Sequence, residues 1–243
     1  MSSSSTPNSL VRRDGSGAMF DGIAPRYDLL NRLLSFGLDQ RWRKLAITAL
    51  KLKPEGRMLD LATGTGDVAI AAAQAEPTLT VIGVDPSEEM MVVGRSKLQA
   101  LGLAPRVSLV LGDAQALAFE NSSFDGISIA FGIRNVPDRV QALREMKRVL
   151  KPGGRLAILE LSEPKAGVVG LLAKFHVHVL VPWLGALISG AHEYRYLQRS
   201  IAAFPPAPEF AKLIEAAGLA VEEIVPLTFG VAHLYVAENR ITG

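Results

Sequence analysis

A short glycine-rich turn lies at the centre of the residues that could do chemistry. The segment LDLATGTGDVAI, residues 59–70, carries Gly64, Thr65 and Gly66 between an apolar run and a run of small apolar residues. A glycine has no Cβ atom and therefore lets backbone N–H groups approach a ligand closely. The two glycines also fit the loose pattern G-x-G-x-x-G/A of dinucleotide sites. The turn predicts a nucleotide-like cofactor, either a dinucleotide or another compound.

Polar groups follow the next two predicted strands, and each could bind one part of such a cofactor. Asp85 ends the run TVIGVD, and a carboxylate there can accept hydrogen bonds from both hydroxyls of a ribose. Asp113 and Ala114 follow the next apolar run. The carboxylate of Asp113 can accept a hydrogen bond from the adenine amine, and the neighbouring backbone N–H can donate one to a ring nitrogen. Each feature alone is often only structural. Together, at three successive strand ends, they indicate a cofactor site.

Two further acids favour a positively charged cofactor. Asp60 lies in the strand before the turn, and Asp67 begins the helix after it. Carboxylates at these positions disfavour the anionic pyrophosphate of a dinucleotide but suit a sulfonium and an α-amino group. We therefore expect S-adenosylmethionine as the cofactor. A nicotinamide dehydrogenase, which would share the fold class, is the alternative.

The alternation of short apolar runs and helical patterns predicts the framework that positions these residues. Helices are expected within residues 18–52, with Asp39 capping the second, and then at 68–75, 87–100, 139–150 and 207–218. Strands are expected at residues 57–62, 80–85, 107–113, 124–132, 155–164, 220–229 and 231–239, with a turn at 152–154. Short apolar strands separated by helices are typical of a parallel sheet covered on both faces.

These elements predict one α/β domain over residues 18–243. It would have an N-terminal helical cap at 18–53 and an inserted lid at 164–204, where the alternation is interrupted. The serine-rich residues 1–17 predict a disordered tail. They lack the apolar core of a secretory signal, so a cytoplasmic protein is expected.

Composition excludes several classes of function. The 243 residues include 26 basic and 24 acidic side chains, a balance that gives no support for a general nucleic-acid binder, which would show a clustered basic excess. The absence of cysteine excludes disulfides, thiolate metal sites and cysteine nucleophiles. Of the four histidines, His176 and His178 lie two residues apart and point to different faces of a helix. We expect no metal.

The apolar stretch 168–190 is long enough to raise the question of a membrane-spanning helix. Lys174, His176 and His178 near its middle argue against spanning. A lid or a surface-docking element is the preferred interpretation, and packing in the core is as compatible with the sequence as docking. Docking would place the protein at the inner face of the membrane.

Several stretches give the chain a recognisable family resemblance. The segments LDLATGTGD, FGIRNV, LKPGGRLAILELSEP and YRYLQRSIAAFP together resemble the quinone-biosynthesis C-methyltransferases, and the N-terminal helical region extends the match to residues 18–237. The resemblance implies the class I S-adenosylmethionine-dependent methyltransferase fold, with a Rossmann-like seven-stranded sheet whose last strand is antiparallel. It also implies a polyprenylated quinol as substrate. We favour demethylmenaquinol over a polyprenyl-benzoquinol, and another lipophilic small molecule is the alternative.

The resemblance and the residues together suggest the site. The expected cofactor-binding residues are Asp60, Thr63, Gly64, Thr65, Gly66, Asp85, Asp113 and Ala114. Some members of the family have a serine where this chain has Ala130, so no side-chain bond to the cofactor is expected there. The family usually has a histidine near the position of Tyr235, whereas this chain has His233-Leu234-Tyr235.

Catalysis is expected from Arg134, Asn135 and Tyr27. The Arg134 guanidinium would hold a phenolate or a water that acts as base, Asn135 would orient that water, and Tyr27 would complete the network. An Arg134 salt bridge that holds the cap is the alternative. Tyr194 and Tyr196 are expected to face the substrate, although a structural aromatic cluster is equally compatible. A homodimer and a peripheral membrane contact are both compatible with these expectations.

Overall fold

The computed structural model describes residues 24–163 and 191–240. The expected tail at 1–17 and residues 164–190, which contain most of the expected lid, lie outside the described residues. The helices described are α1 (Tyr27–Ser35), α2 (Leu38–Ala49), α3 (Asp67–Ala75), α4 (Glu88–Ala100), α5 (Arg139–Val149), α6 (Ala191–Ala202) and α7 (Ala207–Ala216). The strands are β1 (Arg57–Leu61), β2 (Thr80–Asp85), β3 (Val107–Leu111), β4 (Phe124–Ala130), β5 (Leu150–Leu161), β6 (Ala220–Leu227) and β7 (Ala232–Glu238).

All seven strands form one sheet in the order β3-β2-β1-β4-β5-β7-β6. The strands from β1 to β5 pair in parallel, whereas β7 runs antiparallel to both β5 and β6. The expected seven-stranded sheet with an antiparallel last strand is therefore confirmed.

Two apolar layers cover the two faces of the sheet. On one face Phe124, Met146 and Phe210 belong to a cluster that includes α5 and α7. On the other face Trp42 and Met91 belong to a cluster that includes α2, α3 and α4. Strands buried on both faces read as continuous apolar runs, which is why the sequence pattern located them.

The start of α2 differs from the expected one. Phe36 and Gly37 both adopt left-handed backbone angles, with φ of 51° and 75°, and Gly37 is the N-cap without a side-chain capping bond. The prediction that Asp39 caps this helix is wrong. Asp39 lies inside the first turn, where its carboxylate accepts a hydrogen bond from the Ser35 hydroxyl at 2.7 Å. The glycine supplies the left-handed turn, so the helix begins before the acid.

The turn expected at residues 152–154 lies within β5. Leu150 pairs with Phe124, and the register then shifts before Arg155 pairs with Gly126. The shift is an irregularity of the kind a β-bulge produces, so pairing resumes after the turn instead of ending there. Of the helices in the described ranges, none has the length and hydropathy needed to span a membrane.

Candidate active site

The candidate site lies where the order of the strands reverses. The chain runs outward from β1 to β3 and then returns to place β4 on the other side of β1. A reversal of this kind opens a crevice at the carboxyl ends of the strands, which is where ligands bind in open α/β sheets. The residues that follow β1 and β4 are in close contact here. The contact is so close that a Cβ atom on Gly132 would lie only 2.3 Å from the Cβ atom of Ala62.

The glycine turn follows β1 and has a left-handed backbone at several positions. Gly64 and Gly66 have φ of 55° and 81°, values that glycine adopts without strain. The Gly66 N–H donates to the Thr63 carbonyl at 2.9 Å, and the Thr63 N–H donates to the Val84 carbonyl of β2 at 3.1 Å. Tyr27 lies beside the turn, with its Cε1 atom 4.0 Å from where a Cβ atom on Gly64 would stand.

Asp60 is almost fully buried at the end of β1, with 1% of its surface exposed. Its Oδ1 accepts from the Ser128 hydroxyl at 2.5 Å, and its Oδ2 accepts from the Thr63 hydroxyl at 2.6 Å. Burial raises the pKa of Asp60 to about 6, even though both hydroxyl groups and the charge of Arg43 lower it. A buried carboxylate of this kind favours a nearby cation.

The other two expected cofactor acids hold backbone N–H groups at the same edge of the sheet. Asp85 accepts from the Gly64 N–H at 2.8 Å and from the Ser87 N–H at 2.9 Å. Asp113 accepts from the Gln115 N–H at 2.9 Å, and the neighbouring Ala114 is buried. Each carboxylate has about four acceptor sites, so it can keep such contacts and also accept ligand hydroxyl or amine groups.

A cluster of charged side chains joins α1 to the glycine turn and to α4. The Thr65 hydroxyl donates to Asp28 Oδ1 at 2.5 Å, and Lys97 Nζ donates to Asp28 Oδ2 at 2.8 Å. Lys97 also pairs with Asp67 at the start of α3. Burial raises the pKa of Asp67, but the hydrogen bond and charge of Lys97 outweigh burial and hold that pKa below its ordinary value. Asp67 is therefore ionised and already paired.

Arg134 lies on the 3-10 turn Ile133–Asn135, directly after β4, and forms a buried ion pair with Glu160 of β5. Its Nη1 atom is 2.8 Å from Glu160 Oε1, and its backbone N–H donates to Oε2 at 3.0 Å. Its Nε atom donates to the Ser200 hydroxyl of α6 at 3.3 Å. The guanidinium is thus fixed between the ends of β4 and β5 and helix α6.

The structure brings Asn135 together with Tyr196, one of the two aromatic residues expected to face the substrate. The Tyr196 hydroxyl donates to Asn135 Oδ1 at 3.1 Å, and Tyr196 lies on α6 one turn before Ser200. The side chain of Tyr194 lies outside the described parts of the chain. Arg134, Asn135 and Tyr196 therefore form one group at the β4 side of the crevice.

Comparison with known proteins decides the family. The sequence profile of the ubiE/COQ5 methyltransferase family matches residues 11–239. The chain belongs to this family. The resemblance drawn from the sequence is confirmed, and with it the expectation of an S-adenosylmethionine-dependent methyltransferase.

Relatives match the ubiE/COQ5 chain over almost its full length. A demethylmenaquinone methyltransferase of Thermus thermophilus is 48% identical over 223 residues, which are 91% of this chain and 100% of that protein. The ubiquinone/menaquinone biosynthesis C-methyltransferase UbiE of Geobacter sulfurreducens is 45% identical over 92% of this chain and 88% of that protein. A solved SAM-dependent methyltransferase structure from Aquifex aeolicus is 20% identical, covers 80% of this chain and 88% of that one, and has a TM-score of 0.59. At this sequence identity, the similarity to the Aquifex aeolicus structure is a similarity of fold alone.

Sequence reasoning missed several residues of the site in this ubiE/COQ5 methyltransferase. Ser128 and Glu160 are polar residues inside the apolar strands β4 and β5, and this contrast could have singled them out. Asp28 and Lys97 had no such signal, because they are 69 positions apart and meet only in the folded chain. Arg43 is also buried, which a basic residue on an amphipathic helix does not reveal.

Proposed function

We propose that this chain transfers the methyl group of S-adenosylmethionine to a ring carbon of a polyprenylated quinol, with demethylmenaquinol as the substrate. The observation that carries the proposal is the grouping of the buried Asp60 with the strand-end acids Asp85 and Asp113 beside the Arg134–Asn135 turn. A cationic donor and an ionisable ring can meet across this crevice. The relatives in quinone biosynthesis support the substrate class.

The residues at the ends of β1, β2 and β3 fit the donor. Asp60 would face its positively charged end, Asp85 would accept hydrogen bonds from the ribose hydroxyls, and Asp113 with Ala114 would hold the adenine. When bound, this cofactor supplies a methyl group on a cationic sulfur. The glycine turn lets the backbone lie against the ligand, and Tyr27 beside Gly64 helps to exclude water.

The residues after β4 fit the acceptor. A quinol ring carbon is a poor nucleophile until a neighbouring hydroxyl loses its proton, after which the phenolate directs electron density to the ortho carbon. Glu160 and Ser200 fix the guanidinium of Arg134 in advance, which lets it stabilise that developing charge without reorganisation. The Tyr196 hydroxyl donates to Oδ1 of the Asn135 side chain. The side-chain NH2 of Asn135 is then left to hold either the quinol oxygen or a water that takes the proton of the quinol.

The test supplies purified protein with methyl-labelled S-adenosylmethionine and either demethylmenaquinol or the corresponding benzoquinol. We expect label on the naphthoquinol ring carbon, and no label when the oxidised quinone replaces the quinol, because the quinone has no hydroxyl to ionise. Label on the benzoquinol alone would reassign the substrate within the family. Labelling of neither ring would contradict the proposal.

We also propose a peripheral contact with the inner face of the membrane, where the isoprenoid tail of such a substrate is dissolved. The predicted lid stretch at 168–190 lies outside the described residues, so the support for this contact is the apolar character of the sequence. Flotation with liposomes tests it. We expect a fraction of the protein to float with the vesicles, and complete absence from the floating fraction would contradict the contact.

A further inference from the structure

The guanidinium of Arg43 in α2 has a buried Nε atom without a hydrogen-bond partner among the described residues. The Arg43 side chain is 8% exposed, and no described residue places an acceptor within hydrogen-bond geometry of this Nε atom. Buried charged groups are normally paired and hydrogen-bonded, because removing their donors from water is costly. Arg43 has five N–H donors, so the site around it is suited to an anion that the protein itself does not provide.

The contacts that Arg43 does make leave most of its hydrogen-bonding capacity unused. Its Nε atom is 3.5 Å from Asp39 Oδ2, a distance that gives an ion pair but no hydrogen bond. Asp39 already accepts from the Ser35 hydroxyl at 2.7 Å. The Arg43 guanidinium carbon lies 5.1 Å from the centre of the Phe131 ring, a stacking contact that holds the plane of the guanidinium but satisfies no donor.

These contacts place Arg43 at the crevice. Phe131 directly follows β4 and precedes Gly132, which packs against the turn after β1. The positive charge of Arg43 lowers the pKa of Asp60 and of Asp67, so the guanidinium is within electrostatic reach of both ends of the glycine turn. It is therefore near the place where the donor's charged end would lie.

We propose that Arg43 binds the α-carboxylate of the S-adenosylmethionine methionine group, opposite the carboxylate of Asp60. This assignment rests on the proposed function and adds a residue to it. The amino-acid end of the cofactor carries an ammonium and a carboxylate, and the two buried protein charges have the matching opposite signs. A guanidinium binds a carboxylate with two parallel hydrogen bonds, which lysine cannot reproduce. Arg43 thus orients the cofactor and takes no part in the proton transfers of the substrate.

Isothermal titration calorimetry with two ligands tests the assignment. S-adenosylmethionine carries the carboxylate, whereas its decarboxylated analogue keeps the sulfonium and the amine but lacks that group. Arg43→Met retains apolar contact with Phe131 and removes the charge. We expect this variant to bind S-adenosylmethionine about 10- to 100-fold more weakly than the wild type, as for loss of a charge-assisted pair. Binding of the decarboxylated analogue should change by less than about threefold.

Two controls separate this result from a general loss of structure. Arg41→Met removes the same charge from an exposed position on the same helix and should leave both affinities unchanged. Arg43→Lys keeps the charge without the paired donors and should lose affinity for S-adenosylmethionine selectively, which gives a result even if Arg43→Met does not fold.

The outcomes distinguish the two proposals. Equal losses for both ligands, or no loss for either, would overturn the assignment of Arg43 while leaving the proposed function in place. Failure of the wild-type protein to bind S-adenosylmethionine at all would instead overturn the proposed function.

Discussion

The side chain of Asp60, which we propose faces the positively charged end of the cofactor, shows how burial changes the ionisation of a carboxyl group. It is held by two hydroxyl groups, and burial places its pKa at about 6. Because this pKa is above the ordinary value, the folded protein retains the Asp60 proton more tightly than the unfolded chain does. Ionisation of Asp60 therefore lowers the free energy of unfolding as the pH rises from about 4 to 6. A cation bound beside it would reverse that effect.

The first prediction is that cofactor affinity rises with pH through this range. If Asp60 must be ionised to bind S-adenosylmethionine, a pKa of about 6 makes the affinity about tenfold higher at pH 7 than at pH 5. Calorimetric titration at several pH values measures this change.

The control is Asp60→Asn, which keeps the shape of the side chain but does not titrate. Its affinity should be lower at pH 7 and nearly constant between pH 5 and 7. A wild-type affinity that does not change over this range would contradict a role for the Asp60 charge.

The second prediction concerns Arg134, which we place both in a buried ion pair and at the substrate. Arg134→Ala leaves Glu160 buried without its partner, and loss of one member of a buried pair costs about 3 to 5 kcal/mol of unfolding free energy. Urea unfolding measures this loss. We expect turnover to collapse as well.

Arg134→Lys separates stability from catalysis. A lysine keeps a positive charge near Glu160, so the stability should recover in large part, whereas turnover should stay at least about tenfold below wild type because the fixed planar donors are missing. S-adenosylmethionine affinity should be unchanged in this variant. Full recovery of turnover would show that Arg134 serves the ion pair alone.

At the scale of secondary-structure elements, helix α1 is joined to the glycine turn by polar contacts. Thr65, Asp28 and Lys97 connect the turn, α1 and α4, and Lys97 also pairs with Asp67 of α3. These side chains are only partly exposed, so solvent screens their interactions less than those of surface pairs. Lys97 therefore contributes, together with Thr65, to holding α1 beside the glycine turn.

The third prediction is that Lys97→Met releases α1. We expect the free energy of unfolding to fall by about 1 to 2 kcal/mol, between the values for surface and buried pairs. Hydrogen exchange in α1 should accelerate, while exchange in β4, β5 and β7 should not change.

The pH dependence gives an independent check on Lys97. The pKa of Asp67 is lowered in the folded state, so its stabilising contribution is complete above its ordinary value of 3.8 and is lost as the pH falls further. The difference between wild type and Lys97→Met should therefore shrink below that pH. Lys44→Met, an exposed change on α2, should affect neither measurement.

Local sequence patterns predicted most elements and missed the contacts between them. The strands were predicted because each is a short apolar run. The helix predicted from residue 87 agrees with α4, whose N-cap Ser87 accepts a hydrogen bond from the Met90 N–H at 3.2 Å. The pairing of Arg134 with Glu160 could not be found, since it joins two strand ends that become neighbours only in the assembled sheet. The contacts of Lys97 with Asp28 and Asp67 could not be predicted either, because they join helices that become neighbours only in the folded chain. Sequence therefore located the strand-end residues but not the partners that hold them.

At the scale of the whole molecule, the proposed function assigns the two sides of the crevice to two different ligands. The ends of β1, β2 and β3 carry the residues assigned to the donor, and the ends of β4 and β5 carry Arg134 and Glu160. The two halves share one continuous sheet, and β1 pairs directly with β4. Binding on one side should therefore stabilise the entire fold.

The fourth prediction is a thermal shift that is selective for the sulfonium cofactor. At a concentration 100 times its dissociation constant, a ligand adds about 2.7 kcal/mol, which for a protein of this size corresponds to roughly 5 to 11 °C in Tm. Differential scanning calorimetry with S-adenosylmethionine should show such an increase. NAD at the same concentration should not, and an increase with NAD alone would favour the dehydrogenase alternative.

The position of β7 has a consequence for biosynthesis. This strand follows β6 in the chain, yet it lies between β5 and β6 in the sheet and pairs with both of them. During translation the edge of β5 must therefore wait for residues 232–238 to leave the ribosome, and until then it presents unpaired backbone groups to other nascent chains. A premature stop codon before residue 232 would remove β7 and leave both β5 and β6 without the strand they share, so we expect a chain truncated there to aggregate.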